Sequence, residues 1–191
     1  PRLNMSELLQ DGINRHPKLQ PIKKDNRITL KDTQIGGLTN RITFISKAVQ
    51  RLTKLQNLYL ANSPITYDNI ATDWEDATSE YADEELSWSN LKDLTDVELY
   101  NCPKLTQIPE FVYDLPELQL LNVACNKGIS ADQLTADWKR LADDEDTGPK
   151  VQILYLGYNN LEKFPESESL RKMVKLGLLD CVHNNVNHLE A

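Results

Sequence analysis

The amino-acid sequence predicts an α/β solenoid, with a curved parallel sheet on the concave side and helices and irregular turns on the convex side. Three observations predict it. One frame, L-x-x-L-x-L-x-x-N-x-L, returns six times along 191 residues. The intervals between copies alternate short and long. The two long intervals also open on matching stretches, TYDNIATDW (66–74) and SADQLTADW (130–138), at a constant offset of 64.

The frame reads LQNLYLANSPI at 55–65 and, with one extra residue, LTDVELYNCPKL at 94–105 and LQLLNVACNKGI at 118–129. VQILYLGYNNL at 151–161 is the cleanest copy, LGLLDCVHNNV follows at 176–186, and a partial copy ends in NRITFI at 40–45. In each L-x-L, two apolar residues flank an exposed one, which is the alternation of a short strand with one buried face. Such a strand cannot bury that face alone, so the copies must stack. The Asn position turns inward, where its amide satisfies backbone groups of neighbouring coils. Asn40, Asn126, Asn159 and Asn184 hold it, and Ser63 and Cys102 are small enough to substitute. Cys102 is thereby expected to be structural, not reactive.

Successive inner positions lie 23, 39, 24, 33 and 25 residues apart. The short intervals close with ITFISKAV, LTQIPEFV and LEKFP, where Pro109 and Pro165 mark turns leaving the strand side. The long ones follow Ser63 and Asn126. In both, a helix is expected on the convex side: Thr66 and Ser130 stand where an N-cap belongs, and Asp68 and Asp132 sit in the first turn. Ile70 and Trp74 are four apart, as are Leu134 and Trp138, so each pair shares an inward face.

Between Tyr67 and Trp88 the first long interval carries eight acidic residues and four aromatics, Tyr67, Trp74, Tyr81 and Trp88, spaced by seven. One extended helix would bury all four. Alternatively DEELSWSN is a helix end and return loop, leaving Trp88 either buried or exposed as a binding knob. The acids lack the D-x-D-x-D-G order of a calcium loop.

Residues 1–34 read as a helical cap and connector, and 35–191 as the repeats. Asn4 and Glu7 have capping-box spacing, Gly12 ends the helix, and Ile28–Leu30 form a strand over the first coil. No comparable cap follows HLEA, so the end is expected to be truncated or covered by a partner. The start at Pro1 suggests a trimmed chain.

These copies resemble the leucine-rich repeat family over residues 35–189. The run ITFISKAVQRLTKLQNLYLANSPIT (42–66) is similar to leucine-rich repeat proteins on the envelopes of gut-dwelling anaerobic bacteria. That resemblance implies a lipid-anchored or secreted surface protein with repeats appended to another module.

Composition sets limits on partners. Hydrophobic residues make up 40% and charged residues 26%, as in a soluble globular chain. Net charge is −8, split between +7 over residues 1–58 and −15 over 59–191. The acidic body repels phosphate backbones, which disfavours nucleic acid. The basic start is a solvated edge or a contact for an anionic surface. Neither a disulfide framework nor a metal site is indicated by three cysteines without CxxC spacing and three histidines. No cofactor is implied.

No nucleophile and base stand at informative spacing. Cys181 and His183 are two apart, but the frame places Cys181 at a buried leucine position. IGGLTN (35–40) lacks the lysine of a phosphate loop. The expected site is instead the concave face. Its outward positions include Asn57, Tyr59, Asp96, Glu98, Tyr100, Leu120, Asn122, Ile153, Tyr155, Leu178 and Asp180, together with Ala61, Ala124, Gly157 and Val182, and none is Lys or Arg. Leu120, Ile153 and Leu178 fall in one row, which on a wet surface suggests recognition of a protein or peptide. The competing account is strand propensity alone. The sequence is therefore read as a non-enzymatic, monomeric binding module whose repeats do not touch a membrane. The alternatives are a structural spacer in a surface protein or the recruiting arm of an enzyme.

Overall fold

The computed structural model describes residues 28–29, 45–46, 49–50, 53–66, 70–72, 87–143, 150–165 and 167–187. A six-stranded parallel sheet runs through them. Its strands are β1 (Ile28–Thr29), β3 (Asn57–Tyr59), β5 (Asp96–Glu98), β6 (Leu120–Asn122), β7 (Ile153–Tyr155) and β8 (Leu178–Asp180), in that order. Each is two or three residues long, because only the L-x-L core of each copy alternates cleanly. The backbone ladder continues past the strand ends. Leu99 and Asn101 N–H donate to Asn122 and Ala124 carbonyls, and Val123 and Cys125 N–H donate to those of Tyr155 and Gly157.

Register makes the interior continuous. Leu58, Val97, Leu121, Leu154 and Leu179 pair in series. The first four are buried, as are Leu60, Leu99, Val123 and Leu156 two positions on. Burying each such side chain contributes roughly 1.5–3 kcal/mol. Leu179 on β8 is 37% exposed, and Leu178, Val182 and Val174 beside it are exposed too.

One expectation is met and one is overturned. The strand beside β3 is Ile28–Thr29, in register with Leu58 and Tyr59, within the strand expected at Ile28–Leu30 over the first coil. Ile28-Thr29-Leu30 has the required apolar–polar–apolar order. The sheet therefore begins before residue 35, and the coil steps read from the register are 30, 39, 24, 33 and 25 residues.

The correction concerns the first long interval. β4 (Ile70–Thr72) is a strand, not a helix, and pairs in parallel with β2 (Ile45–Ser46) as a separate two-stranded sheet. Its β-branched Ile70 and Thr72 replace Leu134 and Ala136 of the other long interval, and branched side chains favour strand over helix. Tyr67, Trp74, Tyr81 and all eight acidic residues of that stretch lie outside the described residues, as do Asn4–Gly12 and Asn40.

The other long interval does carry its helix, α1 (Ala131–Asp143). Ser130 Oγ accepts the Gln133 N–H at 3.2 Å, capping the first turn, and Asp132 complements the dipole there. Leu134, Trp138, Leu141 and Ala142 face inward, with the Trp138 ring edge-on to Phe164 at 5.2 Å. Asp137 is buried on the same face and accepts the Ile108 N–H at 2.8 Å and the Gln133 amide at 2.6 Å. It ties α1 to the preceding coil. A short helix, α2 (Ser167–Lys172), packs beside α1, and Lys172 donates to Asp143 at 3.0 Å. Trp88 is buried in a 3-10 turn (Trp88–Asn90), its ring 4.4 Å from that of Phe111. It is a core residue.

Candidate functional site: the concave face

Each coil closes through its inner polar residue. Asn126 Oδ1 accepts the Cys102 N–H at 2.6 Å, and its Nδ2 donates to the Leu99 and Val123 carbonyls, each at 2.9 Å. Asn159 repeats this one coil on, accepting the Asn126 N–H at 2.6 Å and donating to Val123 and Leu156 at 3.0 Å. Asn184 donates to Leu156 and Cys181 and accepts from Leu161. Cys102 performs the same work with one atom. Its thiol donates to the Leu60 carbonyl at 3.3 Å and accepts the Ser63 N–H. Burial pushes that thiol up to about 12, which makes it inert as a nucleophile.

This ladder holds the strands in fixed rows on the exposed face. One row runs Asn57, Asp96, Leu120, Ile153, Leu178; a second runs Tyr59, Glu98, Asn122, Tyr155, Asp180. Leu120, Ile153 and Leu178 are thus direct neighbours across β6, β7 and β8, the apolar row expected from the frame. Leu120 and Ile153 are half-buried and Leu178 is 42% exposed.

Asn57 does not belong to the accessible surface. It is only 6% exposed, because Tyr59 two residues on shares its face and reaches back, its hydroxyl donating to Asn57 Oδ1 at 3.3 Å. Ala61, Ala124 and Gly157 are likewise buried. They floor the face without presenting a side chain. Asn122 and Asp180 hold their own strand ends, accepting the N–H of Ala124 and Val182, each at 3.0 Å. Asp96 accepts the Thr95 hydroxyl at 2.6 Å.

A further row escaped the frame. Asn62, Asn101, Cys125, Tyr158 and His183 each immediately precede an inner residue, and all adopt a left-handed backbone with φ between 53° and 63°. That conformation is uncommon outside glycine and is enriched in Asn and His. It turns these side chains out along the rim. Asn101 donates to Asn62 at 2.7 Å, and the Tyr158 and His183 rings stack at 4.2 Å. Tyr100 leans on the same rim, where its hydrogen bond with the Cys125 thiol raises the phenol's pKa, with smaller contributions from burial and Tyr158. The signal was present in the sequence, as the residue before each inner position, but only the backbone shows why it projects.

The Cys181–His183 pair has no activated nucleophile. Burial and the adjacent Asp180 both raise the Cys181 thiol, opposite to what a reactive thiolate needs, and His183 is stacked on Tyr158. Among the described residues no group of three or more His, Cys, Asp or Glu gathers to hold a metal, and no helix is long and apolar enough to cross a membrane.

A stack of short parallel strands held by an inner amide ladder defines a repeat solenoid. The chain belongs to the leucine-rich repeat family. A leucine-rich repeat protein from Bacteroides thetaiotaomicron is 77% identical over all of this chain, with a TM-score of 0.77. One from Bacteroides eggerthii is 57% identical over 94% of it, with a TM-score of 0.74. This chain spans 23% and 30% of those two proteins. An internalin of Listeria monocytogenes is 25% identical over 78% of this chain and 34% of its own, with a TM-score of 0.50. No family model matches the chain, and no curated protein matches it.

Proposed function

We propose that the chain is a non-catalytic binding module that takes a protein or peptide on its concave face. The observation that supports this most directly is the row Leu120–Ile153–Leu178, three apolar side chains in register on a face left open to water. Tyr59 and Tyr155 share one row beside it, and aromatic and aliphatic anchors within a polar rim are what binding surfaces use. Strand propensity explains β-branched residues here but not Leu at two of the three positions. In this reading the module acts as a monomer, its likeness to the Bacteroides proteins and the internalin fits a place at a bacterial cell surface, and the ligand engages Tyr59, Glu98, Tyr100, Ile153, Tyr155 and their row neighbours.

The test is capture from envelope extracts by immobilised wild-type protein and by a Tyr59→Ala/Ile153→Ala/Tyr155→Ala variant. A convex-side variant, Lys139→Ala, serves as control. Loss of specific bands with the triple variant alone, at an unchanged circular dichroism spectrum, is the expected result. Identical capture by all three would favour a spacer role.

A further inference from the structure

We infer that the open edge of β8 seats one more parallel strand, supplied by a further leucine-rich coil that sets an aspartate or glutamate in register with Lys175. Leu58, Val97, Leu121 and Leu154 are each covered by the coil that follows and are at most 2% exposed, whereas Leu179 at the same register position is 37% exposed.

The backbone repeats the difference. The carbonyls of Gln56, Thr95, Gln119 and Gln152 each accept from the next strand. The N–H groups of Leu60, Leu99, Val123 and Leu156 each donate to it, as do those of Asn62, Asn101, Cys125 and Tyr158. On β8 the equivalent groups are the Gly177 carbonyl and the Cys181 and His183 N–H groups, and among the described residues none of them meets a further strand. Donors and acceptor in the spacing of a parallel ladder thus face outward beside an uncovered leucine. An edge of that kind takes an extended chain through its main-chain hydrogen bonds.

Side-chain charge selects the strand. Four residues before each strand centre runs one register row, Lys54, Asp93, Glu117, Lys150 and Lys175. Its members pair from coil to coil, Lys54 with Asp93 at 3.3 Å and Lys150 with Glu117 at 3.4 Å. Lys175 stands next to Lys150, whose carboxylate lies on the other side, and among the described residues no carboxylate pairs with it. A carboxylate in the added coil completes a third pair, whereas a lysine there would set three like charges in succession. The occupant therefore reads acidic-x-x-x-apolar-x-apolar, its two apolar residues lying over Leu179 and Cys181. The same row argues against a second copy stacked head to tail. That copy would offer β1, and the residue four before Ile28 is Lys24, a like charge.

The test lengthens the chain by a coil of its own sequence. Residues 163–187, one 25-residue step, are repeated after Asn187. In one fusion the repeated copy keeps its lysine at the place of Lys175, and in the twin that lysine is glutamate. Hydrogen exchange is followed at the Leu179, Cys181 and His183 amides. These are expected to exchange at least roughly tenfold more slowly in the glutamate fusion than in the unextended chain. The glutamate fusion is expected to protect them roughly threefold better than its lysine twin, an advantage that shrinks in 0.5 M salt. Lys175→Glu in the original coil should reverse the order of the twins. Exchange unchanged by either extension would overturn the added strand. Equal protection by the twins, or no reversal with Lys175→Glu, would overturn the carboxylate. Sedimentation of the unextended chain should show a monomer; a dimer dispersed by Leu179→Asp would hand this edge to a second copy and overturn the assigned occupant. Envelope capture by the Tyr59→Ala/Ile153→Ala/Tyr155→Ala variant reports on the concave face alone, so either reading can fail without the other.

Discussion

Raising the pH should weaken the fold through one thiol. Cys102 is held near pKa 12 by burial, against an ordinary value of about 9, and its S–H closes a turn by donating to Leu60. Below pH 9 the thiol is protonated in both folded and unfolded chains, so it contributes no pH dependence. Above pH 9 the unfolded chain releases the proton and gains stability, while the folded chain retains it until about pH 12. Stability is then lost at up to ~1.36 kcal/mol per pH unit, to a ceiling of about 4 kcal/mol over the three units. By pH 10 the loss is on the order of 1 kcal/mol, a readable part of a typical domain's 5–15 kcal/mol. The partner in the experiment is Cys102→Ser. A serine hydroxyl keeps donor and acceptor without titrating, and Ser63 already occupies the equivalent inner position, fully buried. Urea denaturation of both proteins at pH 8, 9 and 10 isolates the effect, because Cys181, Tyr100 and every lysine are common to the two. The wild-type curve is expected to lose ground to Cys102→Ser as pH rises. A difference that stays constant from pH 8 to pH 10 would refute the buried, donating thiol.

Three other outcomes follow from the same interior. Asn126→Ala strands the Cys102 N–H and removes a donor from the Leu99 and Val123 carbonyls, so urea denaturation should show a loss of roughly 3 kcal/mol or more. Asp137→Ala should cost about 1–3 kcal/mol by orphaning the Ile108 N–H, while Asp137→Asn keeps an acceptor and should cost little. Burial raises the Asp137 carboxyl, so the folded wild type gains stability as pH falls through that raised pKa toward 3.8. Asp137→Asn should lack this gain, as melts between pH 4 and 7 would report. Gly128→Ala drives a Cβ to 2.6 Å from the Leu105 carbonyl oxygen, and the melting point should fall by several degrees, equivalent to roughly 1–3 kcal/mol.

What was legible in the sequence was whatever repeats. Leu58, Val97, Leu121, Leu154 and Leu179 come into register because each coil solves the same packing problem, and the inner Asn, Ser and Cys positions follow from it. Ile28-Thr29-Leu30 was legible as a strand over the first coil from its apolar–polar–apolar order, and Ile28–Thr29 pairs with β3. Ile70–Thr72 was misread because four-residue spacing with an aromatic suits a helix in isolation, and a partner strand at Ile45–Ser46 overrode it. Alternation put Asn57 on the outward side, yet alternation is blind to the Tyr59 hydroxyl two residues on that reaches back to it, and Asn57 is buried.

The rim and the inner ladder are adjacent residues with opposite duties, and that adjacency links stability to recognition. At Asn101–Cys102, Cys125–Asn126, Tyr158–Asn159 and His183–Asn184, the second residue turns inward and secures the coil, while the first is forced into the left-handed region and faces out. Holding non-glycine residues there costs on the order of 1 kcal/mol each, and the hydrogen bonds of the inner residue offset it. A ligand of the proposed kind meeting Tyr158 or His183 would thus meet side chains whose backbone is already committed. Little ordering entropy remains to be lost on binding. A substitution inside the ladder, such as Asn159→Ala, should then disturb the rim before it unfolds the chain. The Tyr158–His183 stack, followed through the His183 ring proton shifts, is where that loosening would first be seen.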